Sequence, residues 1–364
     1  MEFTAADVRY MARALELAEK GLYSTDPNPR VGCVIVRNEK VVGEGWHEKA
    51  GGPHAEVVAL AQADHQARGA TVYVTLEPCA HEGLTPPCVH GLVNAKVSRV
   101  VIAMLDPNPL VDSKGVAMLE KAGIETDVGL LAAEAERLNI GFVTRMREKR
   151  PWVRAKAGAS ADGRTALANG KSQWITSRQS RQDVQRWRAR SSAIVSGVGT
   201  VLADDPSLNV RLEGVERQPL RVIVDSHLST PPDAKLFRTD GEVLIVTVSD
   251  DTGAEDALRQ AGAQVVRIKS EKGRVSLPGL MEYLVTRGVN EVFVETGATL
   301  HGAMLDAGLV DELLIYLAPA VLGDTSRGMF KLPPLDDLAE KIELEWSDVR
   351  RIGPDIRLMA RVKN

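Results

Sequence analysis

Residues 54–63, HAEVVALAQA, followed by TVYVTLEPC at 71–79, PCVHGLVNA at 87–95 and RVVIAML at 99–105, decide the fold of the first half of this chain. Apolar residues at helical spacing from Ala55 to Ala63 predict a helix. The β-branched run from Val72 to Leu76 predicts a strand that ends on Pro78-Cys79. Val89 to Ala95 reads as a helix, Arg99 to Leu105 as a strand and Val116 to Ala122 as another helix. Short strands that alternate with helices build layered sheets, so the class is α/β.

Towards the N-terminus, Val31 to Val36 and Val41 to Trp46 read as strands around an Asn38-Glu39-Lys40 turn, a hairpin that feeds the helix. Before it, Val8, Met11, Ala12 and Leu15 recur at helical spacing. Thr4 and Asp7 sit as N-cap and N3 partner, and Gly21 can stop this helix. Glu2, Asp7, Glu16 and Glu19 make the segment wrong for a secretory signal. Towards the C-terminus, Glu134 to Arg147 reads as a closing helix, and the basic Met146 to Arg150 run before Pro151 breaks the pattern. With 364 residues, too many for one typical core, this predicts domains at 1–150 and 151–364.

The second half is also α/β. Its strand candidates are Val153 to Ala159, Ala193 to Ser196, Arg221 to Val224, Val243 to Val248, Val265 to Ile268, Val292 to Glu295 and Leu313 to Leu317. Pro206 to Pro219 and Leu228 to Gly241 read as surface loops. Arg178 to Arg190, five arginines against one aspartate with a local charge of +4, reads as a solvated helix face.

Composition narrows the function. Hydrophobic residues make up 44% and charged residues 26%, as in an ordinary globular protein. A net charge of -4 gives no global attraction to polynucleotide or anionic lipid, and 4% aromatic residues leave few bases to stack, so partners are expected to be small molecules. The apolar run Leu313 to Gly323 falls short of the roughly 17–25 residues of a membrane span. Three cysteines without a secretory signal predict free thiols and a cytoplasmic protein.

His54 and Glu56 at a predicted helix start, Cys79 at a strand end and Cys88 at a second helix start carry the chemistry. One imidazole and two thiolates suit zinc, whose catalytic sites hold three protein ligands and leave a position for water. Zinc lowers the pKa of that water, and the resulting hydroxide can attack an amidine-like ring carbon. Glu56, not a ligand, would carry protons from water to ring nitrogen and departing ammonia. Eight residues, Ala80 to Pro87, separate the cysteines, where zinc deaminases generally have two. A structural zinc knuckle would need a fourth ligand, for which His81 and His90 are candidates. Cys33, inside an apolar run, reads as a buried hydrophobe.

In the second half, Val292 to Glu295 runs into Thr296-Gly297-Ala298-Thr299-Leu300-His301-Gly302 and a helix, a glycine turn that can cradle phosphate. It is not the Gly-x-Gly-x-x-Gly fingerprint, nor is Gly197-Val198-Gly199.

Asp26-Pro27-Asn28-Pro29-Arg30-Val31-Gly32, His54-Ala55-Glu56, Thr75 to Cys79 and Thr85 to Cys88 together resemble the bifunctional riboflavin-biosynthesis deaminase-reductase family, in which the long insert between cysteines is expected. The resemblance continues through Asp106 to Pro109, Gly158 to Arg164, Ser172 to Thr176 and Leu202 to Pro206, over nearly the whole chain. It implies a cytidine-deaminase-like α/β/α domain followed by a dihydrofolate-reductase-like α/β domain. The implied function is zinc-dependent deamination of a diaminopyrimidinone ribosylamine 5′-phosphate. NADPH-dependent reduction to 5-amino-6-ribitylamino-uracil 5′-phosphate then follows.

By this resemblance each chain binds one zinc ion through His54, Cys79 and Cys88. NADPH meets Gly158, Trp174, Thr200, Asp204 and Ser226. It also meets the turn of Gly297, Ala298, Thr299, Leu300, His301, Gly302 and Ala303. Substrate meets Ser172, Arg188, Leu208, Arg211 and Glu295, with Arg188 and Arg211 for its phosphate, since arginine forks match phosphate oxygens. Lys156 and Asp204 are both candidates for the reductive proton. Asn28 is a candidate reader of the pyrimidine or its sugar, and Arg30 a variable position in the same loop. The implied protein is a homo-oligomer acting on a phosphorylated pyrimidine, with no nucleic acid and no membrane. A zinc deaminase acting on a base in RNA or DNA is the rival reading, and a non-catalytic zinc module the second.

Overall fold

In the computed structural model, which describes residues 3–80, 87–109 and 112–363, the chain divides into two units, Met1–Lys149 and Arg150–Asn364. Arg150 falls in the second unit, where its guanidinium pairs with Asp311 at 2.8 Å. All elements and counts are those of the described residues.

The first unit runs α1 (Ala5–Glu19), β1 (Gly32–Arg37), β2 (Lys40–Trp46), α2 (Ala55–Ala63), β3 (Thr71–Val74), α3 (Cys88–Ala95), β4 (Arg99–Ile102), α4 (Lys114–Lys121), β5 (Glu125–Val128), α5 (Ala132–Leu138) and α6 (Ile140–Glu148). The Thr4–Asp7 capping box forms and starts α1. Asn38 and Glu39, both at positive φ, close the β1–β2 hairpin. The sheet order is β2-β1-β3-β4-β5, antiparallel on the hairpin side and parallel from β3 to β5. Alternate strand residues face two layers. Ile35, Val72, Val100 and Ile102 pack on α2, α3 and α4, whereas Val34, Val36, Tyr73 and Val101 pack on α1, α5 and α6. The result is the α/β/α layering. A Cβ on Gly43 or Gly45 would lie 2.2 Å from Ala59 O or 2.4 Å from Ala55 O, so these glycines let α2 rest directly on β2.

Two expectations for this unit change. The closing helix splits at Asn139, whose amide exchanges hydrogen bonds with the Arg30 backbone, Arg30 N to Oδ1 at 2.8 Å and Nδ2 to Arg30 O at 2.9 Å. The polar edge strand β5 was not anticipated, because Glu125-Thr126-Asp127 shows no apolar alternation.

The second unit runs β6 (Trp152–Ser160), β7 (Arg164–Ala166), α7 (Arg178–Arg190), β8 (Ala193–Gly197), α8 (Val198–Asp204), β9 (Leu220–Val224), β10 (Val243–Thr247), α9 (Thr252–Gln260) and β11 (Gln264–Arg267). It continues with β12 (Ser270–Glu271), β13 (Arg274–Val275), α10 (Leu277–Thr286), β14 (Glu291–Glu295), α11 (Ala298–Asp306), β15 (Glu312–Ala318), β16 (Arg327–Gly328), β17 (Leu344–Ile352) and β18 (Asp355–Val362). Its nine-stranded sheet has the order β11-β10-β9-β8-β14-β6-β15-β18-β17, parallel from β11 to β15 and antiparallel beyond. One face packs on α10 and α11, the other on α7, α8 and α9. In open parallel sheets the carboxyl ends of the strands form the ligand crevice. Here β6, β14, β8 and β9 all end at one cavity.

The supposed surface loops are partly core. Leu208, Val210, Leu228, Ala234 and Leu236 are buried, and the buried Arg221 guanidinium donates to Leu236 O at 2.6 Å and Thr239 O at 3.0 Å. Nor is α7 a wholly solvated face, since Arg188 turns inward.

Candidate active sites

The first site is assembled by two helix starts and one strand end. His54 is the N-cap of α2, Cys88 opens α3, and Cys79 follows β3. His54 Nδ1 lies 3.1 Å from Cys88 Sγ and 3.6 Å from Cys79 Sγ, and the three ligand atoms fall within 4.8 Å of one another. A tetrahedral zinc with Zn–S of about 2.3 Å and Zn–N of about 2.0 Å needs ligand separations of about 3.6 Å. The donor set and its spacing therefore fit zinc.

The Cys88 N–H at the start of α3 donates to Cys79 Sγ at 3.3 Å, which favours the thiolate. A hydrogen bond from Cys88, together with those from His54 and the Cys88 backbone, holds Cys79 down to about 4. The Cys88 thiol is pushed up because it is the donor in that pair. Glu56, one residue into α2, is buried, and burial raises its carboxyl above the usual range. His90 is exposed on α3 and Cys33 is buried in β1, both outside the cluster, while His81 lies outside the described residues. Among the described residues the centre has three ligands, the catalytic pattern rather than the closed structural one.

Two supports of this site escaped sequence reasoning. His47 is buried at the end of β2, donates from Nδ1 to Pro53 O at 3.0 Å and stands edge-on to His54 at 5.5 Å. Burial lowers its pKa, and with Nδ1 donating to Pro53 its Nε2 accepts from Asn28 Nδ2 at 3.1 Å. Arg30 instead donates to Leu138 O at 2.7 Å and braces the unit. Glu77, next to Pro78-Cys79, accepts from four backbone amides: Asp106 N at 3.1 Å, Ser113 N at 3.0 Å, Gly115 N at 2.8 Å and Val116 N at 3.2 Å. A lone His and a lone Glu carry no spacing signal. Each stranded amide costs about 1–3 kcal/mol, so Glu77→Ala is expected to destabilise the first unit by about 3 kcal/mol or more and to speed zinc loss to a chelator. Thermal melting and zinc release check this.

The second site is a cavity of about 840 Å³ at the carboxyl ends of β6, β14, β8 and β9. Gly158, Trp174, Thr200, Asp204 and Ser226 line it, as do Gly297, Ala298, Thr299, Leu300, His301 and Ala303. Ser172, Leu208, Glu295 and Lys156 line it too. Gly302 does not, because it packs against the 331 backbone, where a Cβ would lie 2.1 Å from Lys331 O. Gly297 is the opposite case. Its φ of -82° and ψ of 172° suit any residue, and no atom lies within 4 Å of where its Cβ would be, so its missing side chain opens the start of α11 to the cavity. Gly199 leaves similar room. These two openings form a cradle that a dinucleotide phosphate fits.

Arg188 and Arg211 lie behind the lining. Arg188 forks onto Glu295, Nε to Oε1 at 2.5 Å and Nη2 to Oε2 at 3.0 Å, so its charge is already matched. Arg211 donates to Ser207 Oγ at 2.8 Å and Asn209 Oδ1 at 2.7 Å, with the charges of Arg188 and Glu295 close enough to act on it. Lys156 stands beside Glu295 in the β6–β14 register; burial lowers its pKa and Glu295 opposes the shift. His301 is buried, held down to about 4 by burial, and is neutral at pH 7. Trp174 stands 70% exposed at the mouth with the Arg181 guanidinium 4.3 Å from its ring.

The cytidine and deoxycytidylate deaminase zinc-binding region matches residues 4–104, and the RibD C-terminal domain matches residues 151–358. The chain is 49% identical to the riboflavin biosynthesis protein RibD of Haemophilus influenzae over 98% of both chains. It superposes on a solved Acinetobacter baumannii RibD with a TM-score of 0.92, at 44% identity over 99% of both chains. A solved Thermotoga maritima diaminohydroxyphosphoribosylaminopyrimidine deaminase/5-amino-6-(5-phosphoribosylamino)uracil reductase matches with a TM-score of 0.87, at 32% identity over 98% of this chain and 99% of that one. With both of its domains matched in order and relatives this similar along their whole length, the chain belongs to the RibD family, the bifunctional deaminase-reductases of riboflavin biosynthesis.

Proposed function

We propose that the first unit hydrolyses 2,5-diamino-6-ribosylamino-4(3H)-pyrimidinone 5′-phosphate, and that the second reduces the ribosyl group of its product to ribityl. The observation that carries this reading is one chain with a three-ligand zinc centre beside Glu56 and a glycine-opened cavity beside Lys156. Zinc and NADPH are the cofactors.

His54, Cys79 and Cys88 would hold zinc, which would supply an activated water at neutral pH. Glu56 would take one proton from that water and give it to the ring nitrogen, then carry the remaining hydroxyl proton to the departing amino group, so one water enters and one ammonia leaves. Asn28, fixed through His47, orients the pyrimidine. In the second unit the turn that begins at Gly297 would hold NADPH, which would supply the hydride for reducing the opened ribosyl group. Lys156 gives the matching proton. Asp204 is the poorer donor, since its carboxylate accepts from Ser172 Oγ at 3.2 Å and Gln173 Nε2 at 3.3 Å. Arg211 holds the substrate phosphate, and Arg188 orients Glu295 towards the sugar hydroxyls. Ammonia release and loss of NADPH absorbance from the diaminopyrimidinone substrate test the whole sequence. A protein that does neither defeats it.

Arg211→Ala is expected to raise KM for the deaminated substrate by about 10-fold to 100-fold, the worth of a charge-assisted phosphate contact, with kcat within about threefold. Steady-state kinetics at saturating NADPH check this.

The cytoplasm is our proposed location, supported by free Cys33, Cys79 and Cys88 and by the absence of any helix long and apolar enough to cross a membrane among the described residues. A homo-oligomer is proposed as well. The edge strand β17 leaves Trp346 and Val349 more than half exposed, the kind of edge a second copy covers, and sedimentation velocity reads the outcome.

A further inference from the structure

Leu208, in the cavity wall, and Arg211 belong to a stretch, residues 205–211, that is neither helix nor strand. No backbone group of residues 207–211 bonds to another backbone group among the described residues. Such a stretch has no ladder to hold it in one shape. It is also strained, since Leu208 sits at a φ of 50°, in the left-handed region that a leucine rarely adopts. Something outside the stretch must therefore keep it in place.

Two glutamines do so. Gln218 stands opposite Val210 as a strand partner would, its Oε1 accepting from Val210 N at 2.8 Å and its Nε2 donating to Val210 O at 3.1 Å. Gln185, buried on α7, accepts from Arg211 N through Oε1 at 2.9 Å. Arg188 lies three residues further along the same face of α7 and donates from Nη1 to Asn209 O at 3.0 Å. The backbone of 209–211 is thus fixed at every residue by a side chain from elsewhere. Fixing it also fixes the Arg211 guanidinium, because Nη1 donates to Ser207 Oγ and Asn209 Oδ1 within the same stretch. Neither glutamine lines the cavity. An amide suits the task better than a carboxylate: it carries a donor beside an acceptor, and it brings no negative charge to compete with a phosphate for Arg211.

We propose that Gln185 and Gln218 are positioning residues for the reduction, holding the 210–211 backbone so that Arg211 meets the phosphate of the deaminated substrate with its guanidinium already placed. The inference rests on the reading of Arg211 as the phosphate ligand.

Steady-state reduction by the full-length protein at saturating NADPH tests it, with the deaminated substrate and with the same compound lacking its 5′-phosphate. Gln185→Ala and Gln218→Ala are each expected to raise KM for the phosphorylated compound about 3-fold to 10-fold, with kcat within about twofold. Their kinetics on the compound without phosphate stay within about twofold of wild type. In an Arg211→Ala background either substitution adds less than about twofold, because the group being positioned is gone. Alanine is the strongest helix former, so α7 survives the change at 185, and Gln218→Ala lies outside any helix or strand and reports independently. Equal losses on both compounds, or full additivity with Arg211→Ala, would mean that the glutamines only stabilise the fold, and the proposal falls although Arg211 still binds phosphate. If Arg211→Ala alone leaves KM unchanged, the phosphate reading fails and the positioning role with it.

Discussion

Glu56→Gln is expected to cut ammonia release by about 10²-fold to 10⁴-fold while zinc content and NADPH-dependent reduction of pre-deaminated substrate stay at wild-type levels. Glutamine keeps the size of the buried side chain, so α2 still rests on β2 and His54 keeps its place as N-cap. What is lost is an atom that can accept a proton and give it back. The carboxyl is buried and raised by that burial, which suits a group that must hold a proton between two transfers. Ammonia assay, zinc quantitation and the reductase assay on one preparation separate the possibilities. Loss of zinc would make Glu56 part of the metal centre, and unchanged ammonia release would remove it from the chemistry.

The deaminase centre was legible because its residue types are rare and sit at local element starts: His54 and Glu56 two residues apart, Cys79 and Cys88 each behind a proline. What held those elements was not legible. The four amides on Glu77 come from residues 29 to 39 positions further on, and the His47–Asn28 contact spans 19. Periodicity reports which face of an element is apolar, not which distant polar group it meets. The same limit explains Arg188. Its helix counts as strongly basic, yet the neutralising carboxylate of Glu295 lies 107 residues away.

In the reductase unit seven strands of the large sheet were readable as apolar runs, whereas β17 and β18 were not, because Leu344-Glu345-Trp346-Ser347-Asp348-Val349-Arg350-Arg351-Ile352 is half solvated and charged. The glycine turn after β14 divides by packing rather than by motif. Gly297 opens to the cavity and Gly302 closes on the 331 backbone, a distinction that only the neighbouring chain can make.

Lys156→Met carries the second large effect, a fall in reductase kcat of about 10²-fold to 10⁴-fold with the Kd for NADPH within about threefold. Methionine fills similar space in the β6 wall but has no proton to give. The pH profile identifies the role beyond simple packing. An acid works while protonated, so kcat is flat at low pH and falls as pH rises through the pKa of Lys156. Burial has lowered that pKa, which places the fall below the usual lysine range. Glu295 opposes the lowering and Arg188 adds to it. Glu295→Gln therefore removes the opposing charge and unmasks Arg188, and both changes move the falling limb to lower pH. Asp204→Asn is expected to leave the limb in place. If Asp204→Asn abolishes or shifts it while Lys156→Met does not, the proton comes from Asp204, and Lys156 serves only to hold Glu295 at the sugar.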